Sequence, residues 1–297
     1  MFAVNLIYGA NFIIAKGLMP ALIGPSGFIL VRLFGALPLF FLVKLFVKEK
    51  VQKKDFKLLA ICGFFGVALN QLLFFNGLNL TSPLNASLIM LATPVMVMVV
   101  SGIYLKEKIT GYKVAGLILG LIGAFLLIVT SSKTDVSSSP LGDFCILINA
   151  LSYAVFLVLV KPLMGKYKPI TVISFVFLFG SIFVLPFGWN QFAEIHWGGM
   201  GFNNYLGVAF VIVCTTFFAY LLNIYALKHL LPDVVSIYIY LQPMLALLFG
   251  WMFFLLKPEG FHIVTPPELD AVKIFCALLI FSGVYLVSKT RTPQKNN

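Results

Sequence analysis

Apolar stretches of about twenty residues follow one another along almost the whole of this chain, separated by short polar breaks. A bilayer core about 30 Å thick is crossed by roughly 20 helical residues. Ten such stretches can be marked: 2–19, 25–47, 58–77, 82–105, 112–131, 142–163, 169–188, 203–227, 234–256 and 269–288. Backbone polar groups inside lipid find no water, so each crossing must satisfy its own, which selects helices. The composition agrees, because 61% of the 297 residues are hydrophobic and only 10% charged, more apolar surface than a soluble core of this length buries. The expected fold is an all-α polytopic membrane protein with ten transmembrane helices, short connections making sequence neighbours antiparallel hairpins.

The formal charge of +11 raises the question of nucleic acid. The basic residues lie in short loops between the apolar runs, whereas a nucleic-acid footprint clusters on a soluble domain, so no nucleic-acid partner is expected. Sixteen Lys and Arg residues, from Lys44 to Lys295, fall on one side, and three, Lys133, Lys257 and Lys273, on the other. Cytoplasmic loops collect positive charge, which puts both termini in the cytoplasm of a multi-pass cell-membrane protein. Residues 2–19 carry no basic leader or cleavage site and are expected to stay as the first helix.

Catalytic and metal chemistry find no foothold. Cys62, Cys145, Cys214 and Cys276 lie in apolar runs without a C-x-x-C pair and read as small buried hydrophobes. His196, His229 and His262 each stand alone in loops, and no nucleotide motif or nucleophile-base pattern occurs. Neither a cofactor nor an enzymatic role is expected. No Asp or Glu lies deep in any span, since Glu107, Asp143 and Asp233 are all near ends. That favours facilitated transport or exchange, leaving proton coupling through Glu107 or a lysine open.

Comparing the chain with itself shows a duplication. Pro83, Ser87 and Pro94 match Pro232, Ser236 and Pro243 at an offset of 149, and Tyr8 and Lys16 match Tyr153 and Lys161 at 145. Each half holds five helices, an odd number, so the second enters the membrane from the opposite side. The repeats are inverted about a pseudo-two-fold axis in the membrane plane, with halves at 1–131 and 142–289, a linker at 132–141 and a tail at 290–297. Alternating access suits such a design.

Polar side chains within the spans are the candidate pathway. Lys16 and Lys161 either snorkel to the interface or attract a substrate carboxylate from opposite mouths. Arg32 lies seven residues into the second helix, about 10 Å deep, where it bonds carbonyls at a helix break or contacts substrate. Thr216, Tyr220 and Asn223 share one face of the eighth helix, and Ser236, Tyr240 and Pro243 one face of the ninth, with Tyr238 and Gln242 beside it. Asn70, Gln71, Asn85, Ser87 and Thr93 occupy the related helices of the first half. Such faces turn from lipid towards a cavity or a neighbouring helix. Pro94 and Pro243 each remove a donor in mid-helix, predicting a fixed bend or a hinge. Gly116, Gly120 and Gly123 let a neighbouring backbone approach the fifth helix.

Y-G-A-N-F in the first helix, Arg32, G-L-N-L-T-S-P-L-N-A-S with Pro94 and L-K-E-K, G-A-F-L-L-I, and Y-L-Q-P with F-S-G-V-Y-L-V resemble the drug/metabolite transporter superfamily, specifically its EamA-type ten-helix members. The resemblance covers nearly the whole chain. It departs where the ninth helix ends F-F-L-L-K-P-E-G, leaving Glu107 without a second copy. It implies a small-molecule substrate such as an amino acid or related metabolite, usually exported, with membrane lipid around the protein. The first helix and its repeat partner add Asn11 and Tyr153 to the pathway. Three readings stand: an exporter of a small polar or amphipathic metabolite, an exchanger for anionic metabolites, and a non-transporting lipid- or partner-binding membrane protein. Monomer and homo-oligomer both stay open.

Overall fold

The computed structural model describes residues 1–104, 111–134, 139–230, 232–261 and 270–289. Glu107, residues 135–138 of the 132–141 linker and the tail from 290 lie outside them, as does the Asp233 side chain. The described residues form ten helices and no strand: α1 (Phe2–Leu18), α2 (Pro25–Leu45), α3 (56–80), α4 (Pro83–Tyr104), α5 (Gly111–Thr134), α6 (Pro140–Met164), α7 (Pro169–Ala193), α8 (Phe202–His229), α9 (232–256) and α10 (Ala271–Lys289). Each expected stretch is a helix. Five of them, α2, α4, α6, α7 and α9, open on a proline, whose fixed φ and missing N–H cost nothing at a first turn.

One boundary moves in an informative way. Helix α7 continues past 188 to Ala193, five residues beyond the end of the expected stretch. The extra turn carries Gln191, whose Oε1 accepts from the backbone N–H of Ser26 and Gly27 at 2.8 and 3.1 Å. Those are orphan donors at the start of α2. The opposite face has a related tie, Glu49 Oε2 accepting from the Lys168 N–H at the start of α7, 3.0 Å away.

Helix packing follows the two-fold exchange of halves. Helix α2 packs on its counterpart α7, and α5 on its counterpart α10. The α3–α6 pair is matched by α8–α1, and α1–α9 by α6–α4. The glycines of α5 find their partner here. A Cβ on Gly283 of α10 would lie 2.5 Å from the Gly116 carbonyl oxygen and 2.7 Å from the Gly120 nitrogen, so only bare backbone lets the pair close to this distance. Large apolar side chains such as Phe187, Leu248, Leu255 and Tyr285 are exposed, as a lipid-facing surface requires.

Four helices are irregular, again in related pairs. Helices α3 and α8 widen into π-helical turns at Phe64–Ala68 and Val211–Phe218. Helices α4 and α9 tighten into 3-10 turns at Met90–Ala92 and Tyr238–Leu241. Pro94 and Pro243 stand as the second residue of the segment that resumes after each tight turn, where a ring without N–H cannot continue the earlier i→i−4 ladder. Helix α9 ends at Lys257, left-handed at φ 43°, with Pro258 blocking further turns.

Candidate functional site

A cavity opens between the halves, lined from α1, α2, α3, α4, α6, α8 and α9. Its lining straddles the pseudo-axis. Tyr8 and Tyr153, Val4 and Asn149, Gln71 and Tyr220, Phe74 and Asn223, and Met90 and Ile239 all face it, and each pair is related by the offset of 145 or 149 found in the sequence. Val4 and Tyr8 share a face of α1 by their i, i+4 spacing, as their partners do on α6.

Arg32 is the charged side chain of this cavity among the described residues, and it is only 2% exposed. Its Nε donates to Thr216 Oγ1 at 2.9 Å, and its guanidinium carbon lies 4.5 Å from the centre of the Phe75 ring. The hydroxyl of Thr216 is oriented in turn by donating to the Val211 carbonyl, 2.7 Å away. Tyr220 and Tyr8 lie within electrostatic reach of the guanidinium, their rings edge to face with centroids 6.5 Å apart. An aromatic wall of Phe12, Phe74 and Phe75 stands beside it, with ring centroids 5.4 and 5.0 Å apart.

The rest of the lining is rich in amides. Asn149 Nδ2 donates to the Asn70 carbonyl at 2.7 Å, tying α6 to α3. Gln242 Nε2 donates to Asn5 Oδ1 at 3.1 Å, and Asn5 Nδ2 to the Met1 carbonyl at 3.1 Å. Asn223 Nδ2 donates to the Tyr153 hydroxyl. These bonds leave Asn149 Oδ1, Gln242 Oε1 and Asn223 Oδ1 buried without a protein partner, as are Asn11 Oδ1, Thr215 Oγ1 and both amide atoms of Gln71. A buried unpaired polar atom costs about 1–3 kcal/mol, so six such residues around one space mark it as a place for a polar guest.

Of the residues expected from sequence, Asn11, Arg32, Asn70, Gln71, Tyr153, Tyr220, Asn223 and Gln242 meet in this cavity. The others do not line it. Lys16 Nζ donates to the carbonyls of Leu78, Asn79 and Thr81 at 2.8, 2.8 and 2.9 Å. Lys161 Nζ donates to those of Leu227 and Leu230 at 2.5 and 2.6 Å. Both lysines thus cap helix C-termini, where orphan carbonyls and the helix dipole favour a cation, and neither is among the residues that line the cavity. Thr216 sits behind Arg32, and its neighbour Thr215 takes the lining position because the π-helical turn adds a residue to the spacing. In α9 the lining stripe is Val235, Ile239 and Gln242, one residue before Ser236 and Tyr240. Tyr240 packs instead on Phe281 of α10, centroids 5.3 Å apart, and Ser236 is fully buried. In α4, Ser87 Oγ bonds its own helix at the Leu84 carbonyl, 2.7 Å away, and the N–H of the buried Asn85 belongs to the cap made by Ser82.

Sequence reasoning passed over Asn5, Tyr8, Asn149, Thr215 and the aromatic wall. Tyr8 carried a signal, since its repeat partner Tyr153 was already a candidate. Asp143, expected near a helix end, is there but wholly buried, accepting from the Thr81 hydroxyl.

The EamA-like transporter family matches residues 1–129 and 140–289. Over 305 residues the chain is 27% identical to the uncharacterized transporter YoaV of Bacillus subtilis, covering 99% of this chain and 97% of that one. An uncharacterized transporter of Archaeoglobus fulgidus is 26% identical over 84% of each chain. The probable terminal-alkyne amino-acid exporter of Streptantibioticus cattleyicolor is 25% identical over 46% of each. One solved crystal structure superposes over 97% of this chain and 96% of its own with a TM-score of 0.61 at 14% identity, which is a likeness of fold. Ten helices, a central cavity shared by two related halves and a family match along both of them agree: the chain belongs to the EamA-like transporter family.

Proposed function

We propose that this protein is a secondary transporter that moves a small polar or amphipathic metabolite across the cell membrane by alternating access, in the direction of export. The observation that carries this reading is the cavity on the pseudo-axis, lined by repeat-related pairs from both halves. If the halves at 1–131 and 142–289 exchange conformations, the opening passes from one face to the other around a fixed site. A non-transporting lipid- or partner-binding protein has no need of polar faces held apart around empty space. The sixteen-to-three split of basic residues supports cytoplasmic termini. The name of one relative, a probable amino-acid exporter, puts amino acids among the substrates to be tried.

A second reading, exchange of anionic metabolites, is favoured by Arg32 alone. Counterflow in proteoliposomes, with amino acids and carboxylates as trial substrates, tests both. Saturable flux accelerated by internal substrate is expected, and its absence across the whole panel overturns the assignment.

A further inference from the structure

We infer that the central cavity takes a ligand of net charge −1: a carboxylate that also carries neutral O–H or N–H donors and an apolar body, in preference to a zwitterion or an amine. This deepens the transporter reading and rests on it for the site's purpose, but the binding chemistry stands on its own geometry.

Arg32 stays protonated at any physiological pH, and it is 2% exposed among helices. Among the described residues no carboxylate lines its cavity. A buried cation without an anion is costly, and a guest can bring the negative charge that the described lining lacks. A carboxylate neutralises one arginine; a phosphate dianion would leave a surplus of the opposite sign, and a zwitterion would leave the site as positive as before.

The guanidinium is also presented for an anion. Phe75 covers its face and Thr216 takes Nε. The two terminal nitrogens make no hydrogen bond to a described residue, so the planar edge that matches a carboxylate in a bidentate pair stays available.

The amides then describe the remainder of the guest. Asn149 and Gln242 each give their N–H to a fixed protein acceptor, which leaves Oδ1 and Oε1 as true acceptors, buried and unpaired. They call for donors. Neutral amide oxygens are suited to a hydroxyl or amide N–H, whereas an ammonium would bring a second cation into the cavity that already holds Arg32. The aromatic wall of Phe12, Phe74 and Phe75 receives the apolar body.

Three probes on one skeleton separate the cases: 3-phenyllactate (net −1), phenylalanine (net 0) and phenylalaninol (net +1), titrated calorimetrically into the full chain in detergent at pH 7. Phenyllactate is expected to bind about tenfold or more tightly than phenylalanine, and phenylalaninol not to saturate. Arg32→Gln is expected to weaken phenyllactate by about tenfold or more, with Arg32→Lys in between because it keeps the charge and loses the fork. Phenylalanine binding as tightly as phenyllactate, saturable phenylalaninol, no phenyllactate binding at all, or a folded Arg32→Gln protein with unchanged affinity each overturns the inference. If Arg32→Gln does not fold, the order of the three probes on the native protein decides. Phenyllactate bound in this order without counterflow removes the transporter reading and keeps the site. Saturable flux of a zwitterion that is indifferent to Arg32 does the reverse.

Discussion

Lys16 and Lys161 make the same contact at opposite ends of the molecule. Each reaches from the end of a first-in-repeat helix to the last carbonyls of a third, Leu78 to Thr81 for one and Leu227 and Leu230 for the other. The lysines are 145 residues apart and their acceptors 149, the two offsets of the internal duplication. Ancestry in the sequence is thereby visible as a pair of related bonds, and the bonds explain why both charges are tolerated so near lipid.

Replacing either lysine by Met leaves a helix C-terminus with unsatisfied carbonyls. Lys16→Met and Lys161→Met are each expected to lower stability by about 1–3 kcal/mol, read as thermal unfolding in detergent, with cavity ligand affinity little changed. A variant that kept its stability and lost affinity would restore the lysine to the pathway.

Orientation is tested at two glycines in short loops. Gly199, in the turn after α7, has nothing within 4 Å of a built Cβ, and Gly165, between α6 and α7, is exposed with only the Pro162 carbonyl nearby at 3.6 Å. Cysteines fit both. In a protein whose four native cysteines are replaced by alanine or serine, a membrane-impermeant thiol reagent added to intact cells is expected to label Gly199→Cys and spare Gly165→Cys. Labelling with the opposite preference reverses the orientation.

The helices and their duplication were legible because lipid imposes a length and copying leaves offsets. What was not legible is the rotation of polar faces. The stripe Thr216, Tyr220 and Asn223 assumes 3.6 residues per turn throughout, and the π-helical turn at Val211–Phe218 breaks that assumption. In α9, Val235 and Ile239 face the cavity in place of Ser236 and Tyr240, on the same spacing of four but one residue earlier, and across the 3-10 turn at Tyr238–Leu241 Gln242 joins them at a spacing of three. The roles of Lys16 and Lys161 depend on carbonyls more than sixty residues away, a distance that no local pattern encodes.

Asp55 ties two loops on one face. Its carboxylate accepts from Lys166 Nζ at 2.9 Å and from the Tyr167 hydroxyl at 2.7 Å, and that hydroxyl accepts from the Gln52 N–H at 3.0 Å. The Lys166 hydrogen bond first, and the Tyr167 one second, hold the Asp55 carboxyl below its usual value. A depressed carboxyl contributes stability above its unfolded pKa of about 4, and that contribution fades as pH falls through the folded pKa. Asp55→Asn is expected to be less stable than the native protein at pH 7, the gap closing below about pH 4. Thermal unfolding profiles that stay parallel from neutral pH to pH 3 would count against this tie.

Thr215 and Thr216 make the widened turn of α8 testable. Thr216 accepts from Arg32 and donates to Val211, so Thr216→Val removes the hydroxyl that holds the guanidinium and leaves a buried N–H without a partner. A loss of about 1–3 kcal/mol in stability and about tenfold in phenyllactate affinity is expected. Thr215 has a buried hydroxyl with no partner, and valine has nearly its shape. Thr215→Val should therefore leave stability unchanged or raise it by up to about 1 kcal/mol, lowering affinity only by removing a hydroxyl that the guest could bond. Were α8 regular, Thr216 would face the cavity with Tyr220 and Asn223, and the two variants would exchange effects. Thermal unfolding of both proteins with and without phenyllactate distinguishes the registers, and the larger destabilisation at Thr215 would mean that the helix winds without its extra residue.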